Sequence, residues 1–196
     1  MACHELTTQA RTGLLSTTAT SSGDLLRPLL AGAAPAREVL AVTPVTEVAA
    51  TVEAATQSSH PESSTVRVLA YGDGPAGHPP RPATDGTRAT VDRLDEEPCP
   101  SAVASWLDDR LPVPGADRAG EVLVFVAALA PFLDATSLEE THRFLYYLTA
   151  QAPDRLGSLY CHLEATRSPA TVTALAPLFE ATVEPLDDGW VVETRA

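Results

Sequence analysis

Apolar positions fall in short runs along this chain, and the period of the runs changes. Thr12–Thr18 (TGLLSTT), Arg37–Thr43 (REVLAVT), Thr65–Tyr71 (TVRVLAY) and Gly157–Leu163 (GSLYCHL) are compact and aliphatic, which predicts strands. Glu121–Leu129 (EVLVFVAAL) is almost unbroken, as expected of a central parallel strand buried on both faces. Between these runs the spacing lengthens. Gly23–Leu30 reads as a helix that Pro28 weakens. Val45–Gln57 sets Val45, Val48, Ala49, Val52 and Ala55 at helical spacing behind an N-cap region at Thr43 and Pro44. Pro100–Leu111 fits a helix capped by Ser101. Thr136–Gln151 is amphipathic, with a capping box at Ser137 and Glu140 and a stripe of Leu138, Phe144, Leu145 and Leu148. Ser168–Leu175 carries Pro169 in its first turn.

Thr87–Leu94 reads as an edge strand, and Thr182–Leu186 and Trp190–Thr194 flank Asp187-Asp188-Gly189, a hairpin signal. Strands alternating with helices imply an α/β fold. The expected architecture is a mostly parallel sheet with helices on both faces, ending in a C-terminal β-hairpin. A chain of 196 residues with 44% apolar content supports one such domain over 11–196, after a flexible N-terminus at 1–10. The Gly/Pro-rich stretch Gly72–Gly86 predicts a mobile loop at about 72–88, and Pro112–Gly120 a second linker.

Charge narrows the partners. The chain has 26 acidic and 13 basic residues, a formal net charge of −13, and every basic residue is Arg. Scattered arginines on an acidic chain argue against nucleic-acid binding. No run of 18 apolar residues is present, so no membrane span is expected. Met1–Ala10 lacks the pattern of a signal peptide, and Cys3, Cys99 and Cys161 suit reduced thiols. A cytoplasmic location is therefore expected. GC-rich coding and adaptation to salt both fit the Lys-free acidic composition, and together they resemble haloarchaeal proteins.

The C-terminal 75 or so residues resemble the second half of a RecA-like ATPase domain of the KaiC or RadA type. The likeness rests on the strand Val122–Val126, the helix bearing Arg143-Phe144-Leu145, the strand Ser158–Leu163 and Ala174–Glu184 (ALAPLFEATVE) before the hairpin. Over Thr12–Tyr71 it is topological. The resemblance implies a nucleotide pocket between the first strand and the first helix, and the residues there depart from the family. Ser16–Asp24 (STTATSSGD) stands in place of the Walker A loop. It offers the hydroxyls of Ser16, Thr17, Thr20 and Ser22, the single glycine Gly23, and an acid, Asp24, where phosphate needs positive charge. The positions of the Walker B Asp and the following Ser hold Ala127 and Ala128, which cannot order water around Mg²⁺. The family's catalytic Glu is missing near Thr43 and Pro44, and Glu47 reads as a first-turn carboxylate.

These departures predict a pseudo-ATPase without a cofactor. It would serve as a regulatory or protein-interaction module, with a protein partner or self-association. The alternative is a domain that binds, or acts on, a small ligand in the crevice at the carboxyl ends of the strands, lined from 16–22, 43–47, 72–73 and 127–131.

Other chemistry has simpler explanations. Glu139-x-x-His142 has di-iron spacing but occurs once, so a solvated helix face is expected. Cys161 and His162 should face opposite sides of a strand, with Cys161 in the core, and Cys3-His4 lacks the spacing of a zinc site. The acidic pairs Glu96-Glu97, Asp108-Asp109 and Asp187-Asp188 read as solvated charge or turns. Tyr146 and Tyr147 must straddle two helix faces, and an exposed Tyr is the one cue to a partner surface.

Overall fold

In the computed structural model the described residues are 10–18, 21–32, 38–58, 65–74, 88–94, 97–115, 122–186 and 189–194. The apolar runs become strands β1 (Thr12–Thr17), β2 (Glu38–Pro44), β3 (Thr65–Tyr71), β4 (Arg88–Leu94), β5 (Val122–Val126), β6 (Ser158–Glu164), β7 (Ala181–Leu186) and β8 (Gly189–Thr194). Interleaved with them are helices α1 (Ser22–Gly32), α2 (Val48–Ser58), α3 (Pro100–Asp108), α4 (Ala130–Ala135), α5 (Leu138–Arg155) and α6 (Pro169–Leu175). Short 3-10 turns, Val45–Glu47 and Ala176–Leu178, precede α2 and β7.

The strands form one sheet in the order β4-β3-β2-β5-β6-β1-β7-β8. All neighbours are parallel except β7 and β8, which pair antiparallel from Ala181↔Thr194 to Leu186↔Gly189. The fold class expected from the alternation is therefore the one observed. All residues of β1 and β5 are buried, because crossover helices cover both faces.

Alternation along the strands builds two cores. Leu15, Val39, Ala41, Val66, Val68, Leu123, Phe125 and Tyr160 pack against Leu25, Leu26 and Leu29 of α1 and Val48 and Val52 of α2. Leu14, Leu40, Val42, Leu69, Val124, Leu159 and Cys161 face the other way, onto α3, α4, α5 and α6. Phe132 anchors this second core, stacked on Phe144 at 5.5 Å and edge-on to Tyr71 at 5.9 Å.

Several expectations are corrected. The strand in Glu121–Leu129 stops at Val126, and α4 follows, a helix the apolar run concealed. Helix α3 ends at Asp108 and begins at Pro100, so Cys99 and not Ser101 holds the N-cap position. Helix α5 has the expected capping box but runs on to Arg155. Leu138 is exposed, and buried Thr141 and Ala152 complete the inner stripe instead. Asp108 is no idle surface charge: it accepts from Tyr147 Oη at 2.5 Å and Arg155 at 2.7 Å, tying α3 to α5. Tyr146 is the exposed member of its pair, at 61%. The N-terminal stretch 1–9, most of the 72–88 loop and Asp187-Asp188 lie outside the described residues.

Candidate functional site

The carboxyl ends of β1, β2, β5 and β6 converge on the start of α1. A parallel sheet makes this inevitable, since every strand ends on the same edge and hands its chain to a helix. Ser21 occupies the N-cap of α1, where its Oγ accepts from Asp24 N at 3.2 Å and donates to Asp24 Oδ2 at 2.8 Å. The next N–H is taken by a residue from another element. Pro44 ends β2 and the 3-10 turn that follows swings Glu47 toward α1. Glu47 Oε2 accepts from Ser22 N at 2.7 Å and also from the Ser22 hydroxyl. Thr43 Oγ1 lies 3.4 Å from Ser22 Oγ, and Thr51 donates to the Glu47 carbonyl at 2.9 Å, securing the turn.

The electrostatic consequence is direct. The first N–H groups of a helix and its dipole make the spot that a phosphate would occupy. Here a carboxylate of the same chain sits on it, and Asp24 adds a second negative charge in the first turn. Glu47 is thus more than the first-turn carboxylate expected of it.

Gly23 answers to packing. A Cβ at this position would come within 2.8 Å of the Ala50 carbonyl oxygen in α2. The absent side chain lets α1 and α2 approach closely. Thr20 lies outside the described residues.

Ala127 and Ala128 contribute backbone where side-chain oxygens were sought. Ala127 is buried, its N–H donates to Val42 O at 2.8 Å, and its carbonyl lies 2.8 Å from His162 Nδ1. A carbonyl only accepts, so Nδ1 carries the proton. Nε2, 3.0 Å from Thr17 Oγ1, is then the acceptor of the Thr17 hydroxyl. The Ala128 carbonyl accepts from Tyr71 Oη at 3.4 Å. Burial first, and then the charge of Glu47, push the Tyr71 phenol well above its ordinary pKa, so it stays a donor.

Ser22, Thr43, Thr17 and His162 are all buried. Sequence reasoning assigned His162 no partner and missed its link to Thr17. The register alone pairs Leu15 with His162, and Thr17 is the next residue of β1 on that same face.

Open space lies to either side. One cleft, of about 530 Å³, is lined by Ser16, Thr17, Thr18, Ala165, Arg167 and Glu184, among others. A second, of about 540 Å³, takes in Gly72, Asp73, Glu97, Cys99 and Thr136 at the ends of β3 and β4. Cys99 also borders a cleft of about 420 Å³ between α3 and α5, with Phe144 and Tyr147. The Ser101 hydroxyl, then the N–H groups of Ala102 and Ser101, lower the Cys99 pKa, whereas burial raises that of Cys161. Among the described residues no group of three or more His, Cys, Asp or Glu is placed to hold a metal ion. Glu139 instead pairs with Arg143 at 2.9 Å. Among the same residues no helix is long and apolar enough to cross a membrane.

Solved structures similar to this chain are distant from it in sequence. The chain is similar to the Pyrococcus horikoshii OT3 protein PH0250 (13% identity, TM-score 0.56, 99% of this chain and 92% of that one). It also aligns with the uncharacterized P. horikoshii protein PH0321, solved with an unknown peptide (11% identity, TM-score 0.45, 94% and 82%). A third match is ATPases 2 and 3 of Thermomonospora curvata EccC, solved with a signal sequence peptide (13% identity, TM-score 0.43, 91% and 30%). At 13% identity and a TM-score of 0.56 the likeness to PH0250 is one of fold. No curated protein matches. A family model does match, over residues 12–185, from the first strand into the terminal hairpin. The chain belongs to that family, a family of unknown function (DUF7504).

Proposed function

We propose that this chain is a RecA-like module that has lost nucleotide chemistry and acts by binding protein, either a regulatory partner or a second copy of itself. The mostly parallel sheet, with β1 flanked by β6 and β7 and followed by α1, supports the RecA-like assignment. The observation that carries the loss is the Glu47 carboxylate seated on the Ser22 N–H at the start of α1. A phosphate would have to displace it and then face Asp24 without any lysine in the chain. Buried Ala127 and half-buried Ala128 offer no side-chain oxygen for a metal.

Calorimetry with ATP and GTP in the presence of Mg²⁺, in low and in multimolar KCl, tests this. No heat and no thermal stabilisation are expected. Micromolar binding would stabilise the fold by mass action and overturn the proposal. Sedimentation across a wide concentration range tests the second half: a monomer throughout, with no protein captured, would count against an interaction role. The net charge of −13 supports a high-salt setting, in which screening relieves self-repulsion. Melting temperature should then rise from low to multimolar KCl. A flat response would favour GC-rich coding as the cause of the composition.

A further inference from the structure

Strand β4 ends the sheet: it pairs with β3 on one side and, among the described residues, with no strand on the other. It is seven residues long and contains neither Pro nor Gly, so nothing in its sequence breaks a second ladder. Charges on an edge strand ordinarily discourage pairing, unless the register sets opposite signs face to face. Two arginines and one aspartate leave β4 positive on a chain of net charge −13. At the other edge of the sheet, β8 carries only an acid, Glu193, and a second copy there would gain no ion pair.

The register with β3 assigns the faces. Arg88, Thr90 and Asp92 align with Thr65, Arg67 and Leu69 on the α3 side, and Ala89 and Val91 align with Val66 and Val68 on the α2 side. Asp92 is held in place: its Oδ2 accepts from Trp106 Nε1 and from Arg110, each at 2.8 Å, and the Arg110 guanidinium lies 4.5 Å from the Trp106 ring centre. Among the described residues Oδ1 of Asp92 accepts from no donor, and exposed Arg88 pairs with no acid. Val91, midway along the strand, is an exposed large apolar residue.

We propose that β4 pairs antiparallel with β4 of a second copy, joining two sheets into one across a two-fold axis at Thr90. Such an axis stands normal to the sheet and keeps each face to itself. Thr90 then opposes Thr90, Ala89 opposes Val91, and Arg88 opposes Asp92 twice, once on either side of the axis. Each Arg88 meets the free oxygen of an aspartate already fixed by Trp106 and Arg110, which limits the entropy lost on pairing. Shifting the axis to Val91 loses both ion pairs, setting Thr90 against Asp92 and Ala89 against Arg93, so charge selects the register. The inference rests on reading the chain as a protein-binding module and names its partner and surface.

Sedimentation of the full chain at physiological ionic strength, with oxidative cross-linking, tests it. A monomer–dimer equilibrium is expected. Arg88→Glu should raise the dimer dissociation constant about thirtyfold, and Arg88→Gln about fivefold, because two exposed ion pairs are lost and the first variant adds repulsion. On a background of Cys3→Ser and Cys99→Ser, Thr90→Cys should form a covalent dimer, since directly opposed Cβ atoms lie about 5 Å apart. Val91→Cys should not, because its copy is diagonal at about 7 Å. A dimer that both Arg88 variants leave intact, or that Thr90→Cys fails to cross-link, would overturn this interface and leave the interaction reading standing. A monomer at every concentration that captures another protein would do the same. Nucleotide binding by a chain that still cross-links at Thr90→Cys would sink the loss of nucleotide chemistry and uphold the dimer.

Discussion

Two successive residues of β1, Ser16 and Thr17, end on opposite faces of the same sheet and meet opposite fates. Thr17 is fully buried and hydrogen-bonded to His162, which in turn holds the Ala127 carbonyl. Beside it Glu47 occupies the start of α1. Ser16 opens onto a cleft with no partner for its hydroxyl among the described residues. The carboxyl edge of an α/β sheet is therefore not open or closed as a whole. Alternation gives each strand end two faces, and the helices on each face decide separately what is filled.

The comparison breaks first, if it breaks, at His162. His162→Ala removes a buried ring and strips the Thr17 hydroxyl and the Ala127 carbonyl of their shared partner. About 3 kcal/mol of stability should be lost, read by denaturant unfolding, since a cavity and unmatched polar groups both count. A cost near zero would mean the α1 face is not sealed by this contact.

Glu47→Ala should cost less, about 2 kcal/mol, by freeing the Ser22 N–H and hydroxyl. It should also change the response to inorganic phosphate. The native chain's melting temperature should ignore phosphate, and the variant's should rise with it, because the helix start is then available to an anion. Equal behaviour of the two would show that Glu47 is not what blocks the site.

The sharpest contrast is the smaller one. Thr17→Val loses its bond to His162 and should cost about 1 kcal/mol, whereas Ser16→Ala deletes a hydroxyl with no partner and should change stability by less than about 0.5 kcal/mol. Matching costs would erase the distinction between the faces.

The cysteines extend the contrast at no cost in stability. The Cys99 thiol is exposed, and its pKa is lowered by the Ser101 hydroxyl and neighbouring N–H groups. Its thiolate therefore appears at lower pH than usual. Iodoacetamide, followed by peptide mass spectrometry, should label Cys99 below the ordinary thiol range. Cys161, buried and pushed upward, should react only after unfolding.

Much of this fold was legible because periodicity is a local property. The run from Val122 to Val126 could bury both faces only inside a parallel sheet, and Ser137 with Glu140 announced the start of α5. Helix α4 was hidden because Ala130 to Ala135 continues an apolar run and spans too few residues to show a period. At the site, the sequence exposed what Ser16–Asp24, Ala127 and Ala128 lack. It placed Glu47 correctly at a first turn but gave no hint of its partner, which lies 25 residues earlier.

What the sequence determined by itself was the alternation of elements, the absence of lysine and the strongly acidic charge, all properties of residues and their near neighbours. Only the tertiary structure decided that Glu47 caps α1, that His162 joins β1 to the end of β5, and that β1 and β7 separate beyond Leu15 and Val183. Those outcomes depend on where crossover helices set distant strand ends side by side, and a contact across 145 residues leaves no trace in the pattern around either partner.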